Sequence, residues 1–115
     1  MDEIQIYTTF PNIPPENLEK FKELVSQAVA IASADEGTLR YDYFLSDDGT
    51  KCVSPHSHVN SDALLAHIGK VGELLGPMVE MSGGVEVVVL GDPSAELLEA
   101  TTAFAPAVYA HLDGK

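Results

Sequence analysis

The hydrophobic spacing changes period inside the first third of the chain, and that change limits what it can fold into. Residues 3–10, EIQIYTTF, alternate, so Ile4, Ile6, Thr8 and Phe10 share one face of a half-buried strand. PNIPP follows as a loop leading into a first helical turn. From Glu16 the spacing becomes three and four: Leu18, Phe21, Leu24, Val25, Ala28, Val29 and Ala32 form one stripe of a helix. Gly37 ends this helix or the loop after it.

Alternation returns in LRYDYFLS, residues 39–46. It predicts Leu39, Tyr41, Tyr43 and Leu45 on one face and Arg40, Asp42, Phe44 and Ser46 on the other. DDGT is a hairpin turn with Gly49 free to take positive φ. KCVSPHSHV runs back as a third strand, in which Pro55 predicts an edge position or a bulge. Asn60 caps the next helix, whose Leu64, Ile68, Val71 and Leu75 hold helical spacing. Gly69, Gly72 and Gly76-Pro77 predict that it breaks into two short pieces. GGVEVVVLG, 83–91, is a fourth strand, and Asp92-Pro93 opens a short helix through about Thr101. The tail FAPAVYAHLDGK is apolar to Leu112 and needs a surface to dock on.

The order is βαββαβ with a C-terminal extension: an α+β, ferredoxin-like sandwich in one domain over 1–115, its core at about 3–91 and its extra helix and tail at 92–115. A chain of 115 residues has room for one core. Helices on one sheet face leave the other, with Phe44 on it, in need of cover, so a homodimer is expected. Eighteen acidic against six basic residues, a net charge of −12, argue against nucleic acid or an anionic membrane as partner. No apolar run reaches membrane-spanning length, and the acidic start MDEIQIY is unlike a secretory signal, so the cytoplasm is expected. Cys52 is the single cysteine, which excludes an intrachain disulfide and a thiolate metal cage, and reads as a small buried hydrophobe.

The chemistry concentrates in CVSPHSHVNSDALLAH, residues 52–67, which holds three of the four histidines. His56 and His58 point the same way from a strand end, and His67 lies in the next helix. Three readings follow: acid–base work by imidazoles that titrate near neutral pH, a metal held by the H-x-H pair plus His67, or polar side chains satisfied within the core. Tyr41 and Tyr43 either pack in the core or wall a pocket for an aromatic ligand. His111 in the tail is incidental. There is no paired-carboxylate motif, phosphate-cradling loop or nucleophile elbow.

EGTLRYDYFLSDDGTKCV followed by HVNSDALLAH resembles the antibiotic-biosynthesis-monooxygenase-like family of dimeric α+β barrel proteins, over roughly residues 3–90. Glu36, Gly37, Leu39, Tyr41 and Phe44 fall on the family's acidic-Gly turn and aromatic strand, and His67 on a histidine common in its following helix. The resemblance implies a homodimer whose two sheets form a barrel. It also implies, for some members, oxygenation of phenols or quinols without a cofactor, and for others haem degradation. His56 and His58 stand where the family often has a glutamate and an aromatic residue, and the absence of Trp weighs against the haem reading. The resulting expectation is a cofactor-free monooxygenase for a small phenolic or quinol-type aromatic. His56 and His67 would be catalytic, with His58, Tyr41, Tyr43, Leu64 and Ile68 binding substrate and no metal; turnover would fall as pH drops through the imidazole range. The alternative is a non-catalytic dimeric module for a small apolar ligand.

Overall fold

A computed structural model describes residues 2–115. The first strand, β1 (Ile4–Phe10), buries its even-numbered side chains, as alternation predicts. A 3-10 turn at Pro15–Asn17 leads into α1 (Leu18–Ser33), whose Phe21, Leu24, Ala28 and Ala32 face the core. The predicted second strand is split into β2 (Thr38–Tyr41) and β3 (Phe44–Leu45). Both pair with β4 (Cys52–His58), and the β2–β4 register slips between Thr38 and Arg40. That bulge at Leu39 turns Thr38 to the same face as Tyr41, where strict alternation would oppose them. Leu39 itself is left exposed.

The chain then forms α2 (Ser61–Glu80), β5 (Glu86–Leu90), α3 (Ala95–Ala100) and β6 (Ala107–Tyr109). The sheet order is β2-β4-β1-β5-β6, with β1–β4 and β1–β5 antiparallel, which is the ferredoxin-like arrangement of the first four long strands. Beyond that arrangement, β6 lies parallel to β5, which pairs the tail's backbone with the sheet but leaves the side chains of Val108, Tyr109 and Leu112 exposed. Gly49 takes φ 73° in the hairpin between β3 and β4.

Three local expectations fail for physical reasons. Pro55 sits in a central strand with unbroken register against β1. Its carbonyl accepts from Asp42 N–H at 3.3 Å, so its donorless nitrogen faces the gap between β2 and β3, where no ladder bond is missed. Secondly, α2 is one continuous helix. A Cβ at Gly69, Gly72 or Gly76 would meet nothing, so these glycines lie on its open side, while Leu64, His67, Val71 and Met78 bury the other. Thirdly, the cap of α3 is Ser94, whose hydroxyl accepts from Leu97 N–H at 3.1 Å, two residues past the predicted Asp92.

Two apolar clusters form the core between sheet and helices. Phe10, Ile13, Phe21, Leu24, Cys52 and Met78 pack at one end. Ile4, Ile6, Leu64, Val89 and Leu97 pack at the other. The opposite sheet face carries Tyr7, Phe44 and Leu90, all 39% exposed or more. Among the described residues no helix is long and apolar enough to cross a membrane.

Candidate functional site

A cavity of about 70 Å³ lies between the two clusters, enclosed by β1, β2, β4, β5 and α2. Ile6, Phe10, Leu64, Ile68, Val71 and Val87 make most of its wall. Its titratable groups are Tyr41 with neighbouring Tyr43, His56 on β4, and His67 on α2, beside the hydroxyls of Thr8 and Ser54. Thr101 and Phe104, from the extension beyond the fourth predicted strand, complete the lining. A second, more open depression of about 400 Å³, lined by Asp2, Asp62, Asp92 and neighbouring loop residues, lies at the surface. It holds none of the histidines or tyrosines.

The predicted site residues largely converge. His56, His67, Tyr41, Tyr43, Leu64 and Ile68 all line the cavity. His58 does not: it is completely buried behind His56 and meets no cavity space. With β4 free of a bulge, Cys52, Ser54, His56 and His58 share the inner face. The Tyr41 ring centroid lies 5.0 Å from His56 and 4.7 Å from His67, and the rings of His58 and His67 are 5.1 Å apart.

Hydrogen bonds tie the cluster together. His56 Nδ1 and His58 Nε2 are 2.8 Å apart, and His58 Nδ1 lies 3.2 Å from the Thr38 hydroxyl. Thr38 Oγ1 donates to Asp35 Oδ2 at 3.4 Å, and Lys70 Nζ lies 3.5 Å from Asp35 Oδ1. The Tyr41 and Tyr43 hydroxyls bond to each other at 2.9 Å. His67 Nδ1 is buried with no partner; Asp35 Oδ2, at 4.0 Å, is beyond hydrogen-bond reach. Sequence reasoning missed Asp35, Thr38 and Lys70. Thr38 is hidden by the Leu39 bulge, and Asp35 and Lys70 look like ordinary surface charges until the loop and α2 meet.

Burial governs the protonation states. It lowers the His56 pKa from 6.5 to about 3, with the positive charge that His58 and His67 would carry pushing the same way. Burial, then His67, takes His58 down to about 4, against the pull of Asp35. His67 is lowered by burial, opposed by Asp35 and reinforced by Lys70. All three are neutral at pH 7, so His67 and Asp35 are not an ion pair. The titration expected in the ordinary imidazole range is moved well below it. Burial also raises the pKa of Tyr41 and Tyr43, keeping both hydroxyls protonated, and pushes the Cys52 thiol up to about 11. The pocket is therefore uncharged. Among the described residues no three His, Cys, Asp or Glu side chains are placed to hold a metal ion. His56 and His58 each spend one ring nitrogen on the other.

The fold has close relatives in shape. MupZ from Pseudomonas fluorescens superposes with a TM-score of 0.82 at 19% identity, over 98% of this chain and 92% of that one. A variant of SnoaB, a cofactor-independent oxygenase from Streptomyces nogalater, gives 0.67 at 13% identity over 83% of this chain and 97% of its own. A protein from Bacteroides thetaiotaomicron, provisionally assigned as an antibiotic biosynthesis monooxygenase, gives 0.67 at 13% identity over 75% and 85%. The fold is that of the antibiotic-biosynthesis-monooxygenase-like proteins. No family model and no curated relative matches the sequence.

Proposed function

We propose that this protein is a cofactor-free monooxygenase acting on a small phenolic or quinol-type aromatic in the β-sheet–α2 cavity, with His56 as the proton acceptor. The observation that carries the reading is the His56 ring on the wall of an uncharged, mostly apolar cavity, neutral at pH 7 and braced through Nδ1. Polar groups converging in an apolar pocket are the usual form of a small-molecule site. His56 takes the substrate's hydroxyl proton. The phenolate passes one electron to oxygen, and the radical pair combines at a hydrogen-bearing ring carbon ortho or para to that oxygen as a hydroperoxide. Loss of water then leaves a quinone: one oxygen atom enters the product, and the other leaves as water after the peroxide has been given one proton for the one taken from the substrate. The oxygenase named among the structural neighbours favours this chemistry over others of the same acid–base type. Tyr41, beside both His56 and His67, donates its hydroxyl proton to the substrate oxygen or stacks on its ring.

The enclosed space is a few times the roughly 10–15 Å³ that one water needs, so only the reacting end of a substrate fits inside. The partner we infer is a second copy of the chain, covering Tyr7, Phe44 and Leu90 and extending the site's walls. A second reading is favoured by the depth of the pKa shift. A base lowered to about 3 accepts a hydrogen bond well and a proton poorly, which suits a module that binds a small neutral molecule without turning it over.

Oxygen uptake and product formation with a panel of phenols and hydroquinols test the proposal, using His56→Ala as control. General-base catalysis contributes roughly a hundred- to ten-thousand-fold, so the variant should lose at least about a hundredfold in turnover. Full activity in His56→Ala, or turnover that persists without oxygen, refutes it. Saturable binding with no turnover would support the second reading.

A further inference from the structure

Three groups around His56 have no role in the reaction as written: Asp35, Thr38 and His58. They form one line. The Asp35 carboxylate can only accept a hydrogen bond, and Thr38 Oγ1 stands between it and His58 Nδ1. A hydroxyl with a carboxylate on one side and an imidazole on the other gives its single proton to the charged acceptor, because charge-assisted bonds are the stronger. The Thr38 oxygen is then left to accept, so His58 carries its proton on Nδ1. His58 Nε2 is therefore a lone pair, and the 2.8 Å contact to His56 needs a proton on His56 Nδ1. In a neutral imidazole with Nδ1 protonated, Nε2 is bare. No group among the described residues bonds to that nitrogen of His56.

We propose that Asp35, Thr38 and His58 are positioning residues: a hydrogen-bonded relay that fixes His56 as the Nδ1–H tautomer and presents its bare Nε2 to the cavity. The proposal deepens the reading of His56 as proton acceptor and rests on it for its catalytic meaning. The same line carries a proton outward. When His56 takes a proton on Nε2, its Nδ1 proton passes to His58 Nε2, the His58 Nδ1 proton passes to the Thr38 oxygen, and the Thr38 proton passes to Asp35. One proton enters and one arrives, and no imidazolium stays in the buried cluster. Asp35 lies at the edge, with its side chain 11% exposed and the half-exposed Lys70 beside it, so the proton leaves to water from there. His67 Nδ1, buried near Asp35 but unbonded, stands outside the line. Tyr41 and Tyr43, bonded to each other, also stand outside it.

The test is the tautomeric state of each histidine, read by two-bond proton–nitrogen correlation NMR on the full ¹⁵N-labelled chain at pH 7 without substrate. In the wild type, His56 and His58 are expected as Nδ1–H, favoured by roughly tenfold or more. Thr38→Val keeps the shape but removes the acceptor, and should release the bias so that His56 Nε2–H grows to at least a comparable share. Thr38→Ser should restore the wild-type pattern. Asp35→Asn should also release the bias, because an amide can donate to the Thr38 oxygen and turn the hydroxyl proton toward His58. His56 found as Nε2–H in the wild type overturns the relay, as does a His56 tautomer indifferent to both Thr38→Val and Asp35→Asn. Because the spectra need no turnover, a failed search for substrate counts against the oxygenase reading alone.

Discussion

Acid should unfold this protein through its histidines, and by a calculable amount. Unfolded, an imidazole gains its proton near pH 6.5; folded, His58 holds out to about 4 and His56 to about 3. Between those values the unfolded chain binds more protons, so the stability present above pH 6.5 is lost as pH falls toward the folded values. Each proton costs about 1.4 kcal/mol per pH unit. Two groups over the two units from pH 6.5 to 4.5 therefore remove on the order of 5 kcal/mol, against a typical total of roughly 5–15. The perturbation that isolates them is a His56→Phe/His58→Leu double variant. Urea unfolding at half-unit steps from pH 7.5 to 4.5 gives ΔG against pH for both proteins. The wild-type curve should fall more steeply by about two protons' worth, whatever the variant's stability at pH 7. Parallel curves would show that the two imidazoles ionise normally in the folded state, and the account of a neutral, buried cluster would be wrong.

Catalytic turnover of any substrate found should stay level from pH 8 to 5, since the proposed base, His56, stays unprotonated down to about 3; an inflection near 6.5 in the pH–rate profile would contradict the burial argument. Light scattering on a dilute sample should give twice the 12.3 kDa chain mass, and a monomer mass would remove the covered-face argument. Gly37→Ala should destabilise by roughly 1–3 kcal/mol in thermal or urea melts, because its new Cβ would stand 2.7 Å from that of Ala63 on α2. Gly69→Ala, which would meet nothing, should stabilise by roughly 0.5–1 kcal/mol; the reverse ranking would mean that α2 is seated differently.

The main elements were legible because each rests on a period. The even-numbered residues of β1 and the stripe Phe21, Leu24, Ala28 and Ala32 are buried as their spacing requires. The histidine cluster was legible in part: His56 and His58 share a face because two residues separate them, and the short loop to α2 brings His67 near. What the pattern hid came from breaks in period. The register slip at Leu39 puts Thr38 on the inner face beside His58, where strict alternation from Tyr41 would set it outward. The glycines of α2 read as helix breakers, but tertiary packing of Leu64, Val71 and Met78 on the sheet outweighs their poor propensity, about 1 kcal/mol each. Strand β6 lacked a period altogether, since three residues are too few to show one. Proton placement was beyond any sequence pattern, because the pKa shifts arise from burial in the assembled core.

The Leu39 bulge and the β6 strand also decide how this sheet meets other sheets. Any open sheet ends in unpaired backbone groups that can recruit a stray strand. Here one margin is β2, four residues long, kinked at Leu39 and carrying Arg40. The other margin is β6, three residues long and preceded by Pro106, laid over the longer β5 that would otherwise be bare. Short, kinked, charged or proline-flanked margins are poor templates for the end-on addition that seeds amyloid. A chain this acidic is then discouraged from growing sideways, and its apolar outer face can be used for association without opening a path to fibres.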